Sequence, residues 1–278
     1  MTQPSIAYLG PEGSYSDRAT KLLFDANSDF SACGRFDDIF EKVENDQCDY
    51  AVLPIENNTA GIVNEAIDLL IPSTLNICAE FTMPVIHSLL SKNDISLKEI
   101  QTLYSMSQPY YQSKQFIDQN LKHARWSQTT SSSKALQSCL SDDTSAAIGF
   151  SDTGIKLGLQ ELHKNIQTRE DNATRFFVLS KEKGYHELRQ PSQSYRATLV
   201  FTLKNEPGSL LSILDIFKSS DINMCHIESR RTPHPEWDYY FFISLEVKRE
   251  TSQLDEALAK VTELTPWSRF LGHYPLLD

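Results

Sequence analysis

Apolar positions follow two rhythms along this chain. Short unbroken apolar runs alternate with stretches in which apolar residues return every three or four positions. The first mark buried strands, the second helices with one buried face. In the first 180 residues, Ser5–Leu9, Tyr50–Ile55, Thr102–Ser105, Ala146–Gly149 and Arg175–Leu179 predict strands, and Leu75–Ser88 an extended stretch. Between them, Ser14–Ala26, Phe36–Asn45, Ile62–Leu70, Gln112–Asn120, Lys134–Leu140 and Ser151–Leu157 predict helices. Such alternation predicts parallel sheets built from βαβ units.

Tyr185–Ser194 is polar and without period, and reads as a linker. Beyond it the pattern tightens. Tyr195–Leu203, Ile222–Ser229, Tyr239–Val247 and Ser268–Tyr274 predict strands, and Pro207–Phe217 and Leu254–Leu264 helices. The order βαββαβ predicts a ferredoxin-like module. The expected fold class is α/β: a larger body followed by a small α/β sandwich.

Composition narrows the function. The chain has 278 residues, enough for about two domains, with 40% hydrophobic and 23% charged residues, a globular balance. No apolar run is long enough to span a membrane, and the N-terminus lacks the features of a signal or transit peptide, so a cytoplasmic protein without membrane partners is expected. Five scattered cysteines, none at CxxC spacing, suggest neither a disulfide framework nor a zinc site. The net charge is −11, and residues 1–80 carry 4 basic against 14 acidic groups, which argues against a nucleic-acid partner. An anionic substrate would need local donors.

Several loops offer them. Gly13 and Ser14 lie between a predicted strand and helix, with Ser14 and Asp17 at capping-box spacing; a helix N-terminus there can hold an anion or be an ordinary capped turn. Glu56, Asn57 and Asn58 follow an apolar strand, at the carboxyl end where open α/β sheets bind ligands. Ser131, Ser132 and Ser133 open another helix, where one serine caps and the others are solvated or bind an anion. Thr174 and Arg175 place a hydroxyl beside a cation at a strand mouth. The seven histidines show no ligand spacing, and His87, His123 and His186 read as ordinary.

Taken in order, GPEGSYSDRA, AVLPIENNTAGIVNEAIDLL, YSMSQPYYQ and NATRFFVL resemble the prephenate dehydratase family, and GSLLSILDIF, INMCHIESRR and YYFFISLE resemble the ACT regulatory domain attached to those enzymes. The chain departs from the usual motifs in three places. Ser105-Met106-Ser107-Gln108 stands for Ser-His-Pro-Gln, Gly208-Ser209-Leu210 for Gly-Ala-Leu, and Glu228-Ser229-Arg230-Arg231 for Glu-Ser-Arg-Pro.

The resemblance implies a type II periplasmic-binding-protein-like body of two lobes: residues 1–80 with 168–184, and residues 81–167. Residues 1–184 would be catalytic, 185–194 a linker, and 195–278 the ACT domain. It further implies conversion of prephenate to phenylpyruvate, carbon dioxide and water, without cofactor or metal because aromatisation drives the step. Thr174, Glu56, Asn57, Ser105 and Gln112 are the implied catalytic residues, with Thr174 bonding the leaving oxygen and Glu56 an alternative acid. Gly13, Ser14, Ser131, Ser132, Arg175 and Phe176 are the implied substrate contacts. Gly208, Ser209, Leu210, Leu211, Asn223, Glu228 and Ser229 would bind phenylalanine as feedback effector at a boundary between subunits of a dimer or tetramer. Arogenate dehydration and a non-catalytic amino-acid sensor are the two other functions compatible with these motifs.

Overall fold

The computed structural model of the protein describes residues 3–182, 194–231, 239–249 and 252–277. The expected linker Tyr185–Ser194 lies outside them except for Ser194.

The first part of the chain runs β1 (Ser5–Leu9), α1 (Tyr15–Leu23), β2 (Asp29–Cys33), α2 (Phe36–Glu44), β3 (Tyr50–Asn57), β4 (Gly61–Ile62), α3 (Asn64–Leu70) and β5 (Asn76–Pro84). It then forms β6 (Ser88–Ser91), β7 (Thr102–Ser105), α4 (Ser107–Gln112), α5 (Lys114–Asn120), β8 (Arg125–Gln128), α6 (Ser132–Cys139), β9 (Ser145–Gly149), α7 (Ser151–Lys156) and β10 (Gln160–His163), and returns as β11 (Ala173–Ser180). Strands β6 to β10 make a separate sheet, ordered β10-β6-β9-β7-β8. The chain therefore crosses from the first sheet to the second over 85–87 and back over 164–172. The two crossings touch: the Val85 amide donates to the Asn172 carbonyl at 2.8 Å, and the Ile166 amide to the His87 carbonyl at 3.0 Å.

The all-parallel expectation is corrected by this topology. Strand β1 pairs in parallel with β2 and β3, and β7 with β8 and β9. But β11 lies antiparallel between β3 and β5, and β6 is antiparallel to both of its neighbours. A chain that leaves one lobe and re-enters it comes back in the opposite direction.

The local differences have local causes. The expected helix from Ile62 starts only at Asn64, because Gly61 and Ile62 pair back onto Asn57 and Glu56. The expected helix Gln112–Asn120 is two helices that share Ser113 as a boundary. Strands β2, β8 and β10 carry no apolar run; they are edge strands, exposed on one side, and polar residues suffice there.

The C-terminal part is β12 (Tyr195–Thr202), α8 (Ser209–Ser219), β13 (Asn223–Arg231), β14 (Tyr239–Val247), α9 (Ser252–Leu264) and β15 (Ser268–Leu277), with strand order β13-β14-β12-β15. This is the ferredoxin-like arrangement. One face of its sheet carries α8 and α9 over Leu199, Phe201, Ile243 and Leu245. The other face is not left to solvent. Val200, Phe242, Leu271 and Tyr274 join the core formed by Phe177, Leu53, Ile77 and Leu70 of the body. Leu276 and Leu277 pair in parallel with Glu80 and Phe81, so the module's sheet continues the first sheet of the body. Module and body share a core.

Candidate active site

Strands β3 and β11 carry the centre of the site, and an irregularity in their pairing decides what faces what. Phe176 pairs with Pro54 but Arg175 pairs with Glu56, so Ile55 has no counterpart. The extra residue is a bulge, and a bulge re-aims the side chains beyond it. It places Asn57 opposite Thr174 on one face of the sheet, and Glu56 opposite Arg175 on the other.

On the first face a chain of buried and half-buried polar side chains joins the two lobes. Asn57 Nδ2 donates to Thr174 Oγ1 at 3.0 Å and to Asn172 Oδ1 at 2.9 Å. Asn57 Oδ1 accepts from the Thr59 hydroxyl at 2.6 Å and from the amides of Thr59 and Ala60. Gln112 Nε2, at the end of α4 in the second lobe, donates to Thr59 Oγ1 at 2.7 Å. Gln112 Oε1 lies 2.8 Å from His87 Nε2, and His87 Nδ1 lies 2.7 Å from the hydroxyl of Tyr15 in the first turn of α1. Thr174 is 9% exposed, Asn57 6% and His87 0%. Burial pushes the His87 imidazole below its ordinary value, opposed only by the Gln112 contact, and pushes the Tyr15 phenol upward. Asn172 Nδ2 is buried beside Thr174 without a hydrogen-bond partner.

Of the expected catalytic residues, the fold thus gathers Thr174, Asn57 and Gln112. It does not gather Glu56. The bulge turns Glu56 to the opposite face, where its carboxylate lies 2.9 Å from Arg175 Nη2. Arg175 leaves the expected substrate set for the same reason, and its guanidinium sits 5.8 Å from the Phe177 ring centre. Glu80, 2% exposed, completes that cluster, paired with Arg196 of the module and 3.9 Å from Arg175. Burial raises the Glu80 carboxyl, against the lowering pull of the Arg175 and Arg196 guanidiniums. Phe176, expected at the substrate, is wholly buried among Ile6, Tyr8, Val52 and Phe81, because it shares the face of Val178 below the site.

Ser105 ends β7 and turns inward; its hydroxyl donates to the Met106 carbonyl at 2.9 Å. The two expected anion sites face each other across the lobes. Gly13, at φ +78°, approaches Ser133 so closely that a Cβ on it would stand 2.8 Å from Ser133 Oγ. Ser133 Oγ donates to the Glu12 carbonyl at 2.8 Å. Ser14 caps α1 by accepting from the Asp17 amide, and Ser131 caps α6 by accepting from the Lys134 amide. Ser132 donates to Met106 Sδ at 3.7 Å, so the residue in the family's usual histidine place lies against α6.

Reading the sequence missed four members of the chain: Tyr15, Thr59, His87 and Asn172. Tyr15, Thr59 and Asn172 lie inside the quoted motifs and were within reach. His87 gave no signal because its partners are 25 and 72 residues away.

In the module, the expected effector residues lie at two ends. Gly208 caps α8 at φ +89°, just beyond β12, and Leu211 is 67% exposed. Leu210 packs against the module core. Asn223 begins β13 at the far end, where Nδ2 donates to Glu246 Oε2 at 2.7 Å. Glu228 and Ser229 lie further along β13, opposite Phe242 and Phe241. One chain does not bring Gly208 and Asn223 together. Among the described residues no cluster of histidine, cysteine and carboxylate side chains suits a metal, and no helix is long and apolar enough to cross a membrane.

Known proteins agree with this architecture. The prephenate dehydratase family pattern matches residues 6–184. The bifunctional chorismate mutase/prephenate dehydratase of Aquifex aeolicus (strain VF5) is 32% identical over 270 residues, spanning 97% of this chain and 73% of the relative. The crystal structure of a prephenate dehydratase from Arthrobacter aurescens, in complex with L-Phe, superposes with a TM-score of 0.85 at 28% identity, over 97% of this chain and 89% of that one. The prephenate dehydratase from Staphylococcus aureus subsp. aureus Mu50 shares the fold, with a TM-score of 0.84 at 23% identity over 97% and 99% of the two chains.

Proposed function

The chain belongs to the prephenate dehydratase family, and from that premise we propose how its residues remove water and carbon dioxide from prephenate to give phenylpyruvate. The electron pair of the ring–carboxylate bond enters the ring as carbon dioxide leaves, and the ring expels its hydroxyl as hydroxide. A proton then makes that hydroxide water. Aromatisation drives the step, so the protein's task is to hold the substrate and stabilise the departing oxygen.

Thr174 serves that oxygen. An alcohol is a poor acid but a good donor, and a fixed donor where charge develops lowers the barrier. The observation that carries this reading is the Asn57 Nδ2–Thr174 Oγ1 hydrogen bond at 3.0 Å. Asn57 occupies the acceptor side of the hydroxyl, which leaves the Thr174 proton to donate. Asn172 Nδ2 and the turn at Ser131–Ser132 supply donors for the substrate's polar groups, whereas the Gly13 and Ser14 amides and the Ser14 hydroxyl are taken by Asp17, Pro11 and Leu9.

Residues 195–278 act as an ACT regulatory domain for phenylalanine, and the chain works in the cytoplasm as a dimer or tetramer. The separation of Gly208 from Asn223 supports an effector site completed by a second copy. The test is phenylpyruvate formation from prephenate, with arogenate in parallel and with phenylalanine titrated by calorimetry. Turnover of prephenate inhibited by phenylalanine is expected. Absence of prephenate turnover in folded protein overturns the catalytic reading; turnover blind to phenylalanine, without binding heat, overturns the regulatory one.

A further inference from the structure

The polar chain between the lobes has a fixed direction, and backbone groups set it. The amides of Thr59 and Ala60 can only donate, and both meet Asn57 Oδ1, at 3.1 and 3.0 Å. This fixes which end of the Asn57 carboxamide is oxygen, a choice usually open to a flip. The Thr59 hydroxyl lies 2.6 Å from that same oxygen and 3.3 Å from Asn172 Oδ1, and with either acceptor it spends its single proton as a donor, by distance on Asn57. Thr59 Oγ1 is then an acceptor, so the Gln112 group 2.7 Å away is its NH2. Gln112 Oε1 is therefore the atom facing His87 at 2.8 Å, and His87 Nε2 must carry a proton. In the neutral ring Nδ1 is the bare nitrogen, and it accepts from Tyr15 at 2.7 Å.

We propose that His87 is a positioning residue for the dehydration: held as the Nε2–H tautomer between Tyr15 and Gln112, it holds the Gln112 carboxamide with its NH2 on Thr59, and so reinforces the Thr59–Asn57 arrangement, itself fixed by backbone amides, in which Thr174 keeps its hydroxyl proton for the substrate. This rests on the reading of Thr174 as the donor to the leaving oxygen. The geometry favours a catalytic over a packing role. His87 sits in the crossing between the lobes, Gln112 reaches from the second lobe, Tyr15, Thr59, Asn57 and Thr174 belong to the first, and the Gln112–Thr59 link completes only when the lobes meet. Every donor in the series points toward Thr174. If Gln112 turned over, its NH2 would face His87 and its oxygen would face Thr59 Oγ1. The Thr59 proton would then be contested between Gln112 and Asn57, and the directional support under Thr174 would be weakened.

The experiment compares three changes at one position with prephenate turnover and thermal midpoint measured together. Glutamine carries an N–H near the Nε2 position, asparagine near Nδ1, and leucine neither. His87→Gln should retain kcat within about threefold, while His87→Asn and His87→Leu should lose about 10- to 100-fold, the scale of an unmade buried hydrogen bond. KM should move less than kcat. A packing role would rank the variants by volume and thermal midpoint instead. Tyr15→Phe keeps the ring against Phe150, 4.0 Å away between ring centres, and removes only the hydroxyl; it should lower kcat several-fold, with a modest fall in midpoint from the orphaned His87 Nδ1. In a Thr174→Val background, His87→Asn should cost less than about twofold further, because both act through one hydroxyl.

His87→Asn, His87→Leu and Tyr15→Phe all keeping wild-type kcat while Thr174→Val loses activity would overturn the positioning role and leave the Thr174 reading intact. Independent, multiplicative losses in the double variant would also overturn it. Wild-type activity in Thr174→Val would overturn both.

Discussion

Thr174 and Arg175 are consecutive in one strand and serve opposite faces of the sheet: Thr174 accepts a hydrogen bond from Asn57 in the cleft, and Arg175 pairs with Glu56 toward the C-terminal module. The proposed chemistry and the inter-domain contact thus sit back to back, one residue apart.

Replacing Thr174 by valine keeps the branched shape and deletes the hydroxyl. Loss of one transition-state donor typically costs about 10²–10³ in kcat. We expect that loss with KM little changed, read by phenylpyruvate formation. Wild-type kcat in Thr174→Val would remove the residue from the reaction.

Glu56→Gln tests the opposite face. If Glu56 were the acid, its loss would remove the alkaline limb of the pH–rate profile. Because Glu56 instead pairs with Arg175, away from Asn57 and Thr174, the limb should persist and kcat should stay within a few-fold. The variant should act on the module contact: with one carboxylate gone, Arg175 keeps only Glu80, 3.9 Å away, and the thermal midpoint should fall modestly. A vanished alkaline limb would return Glu56 to the chemistry.

The same two strands show what the sequence could and could not tell. The apolar run Tyr50–Ile55 is a strand because both faces are buried, and that is legible residue by residue. Strict alternation would put Glu56 on the face of Pro54, which is the cleft side of Phe176. The bulge at Ile55 reverses this, and a bulge is a property of two strands paired across more than a hundred residues, not of either alone. Polar edge strands such as Arg125–Gln128 escaped for a related reason: they are defined by the neighbour they pair with. Thr174, Asn57 and Gln112 are legible because the family resemblance assigns those motif positions to the site, whereas Tyr15, Thr59, Asn172 and His87 are defined only by their contacts.

His87 also gives the stability a pH dependence of known sign. Its folded-state value is lowered by burial, so between that value and the ordinary 6.5 the unfolded chain binds more protons than the folded one. Stability then rises with pH across the window and falls as pH drops below 6.5, by up to about 1.4 kcal/mol per pH unit within it. His226 is lowered by burial too, and contributes in the same direction. The difference between wild type and His87→Gln cancels that shared part. Below 6.5 the variant should lose less stability per pH unit than the wild type in denaturant titrations; parallel pH curves would show that His87 is not held neutral.

The C-terminal module should not be removable. A domain joined only through the linker 185–194 could be cut from about residue 191 onward to leave a body that turns over without regulation, which is what the polar linker before a βαββαβ module leads one to expect. The fold argues against it. Val200, Phe242, Leu271 and Tyr274 are all at 0% exposure, and they fill the same core as Phe177 and Ile77 of the body. Each such side chain contributes about 1.5–3 kcal/mol by burial, so four of them rival the usual 5–15 kcal/mol stability of a whole domain. Truncation would also strip Arg196 from Glu80, leaving a carboxylate of 2% exposure with Arg175 as its remaining cation, 3.9 Å away. Breaking a buried pair this way is strongly destabilising. The chain ending at 193 should therefore aggregate or bind apolar dyes, without a cooperative thermal transition and without turnover. A milder version probes the same seam: a Cβ at Gly272 would collide with the Ile77 carbonyl on β5, so Gly272→Ala should lower the thermal midpoint of body and module together. A monomeric, cooperatively folding and active 1–193 fragment, or a Gly272→Ala protein whose body melts as in wild type, would show that the shared core is not what holds the catalytic lobes.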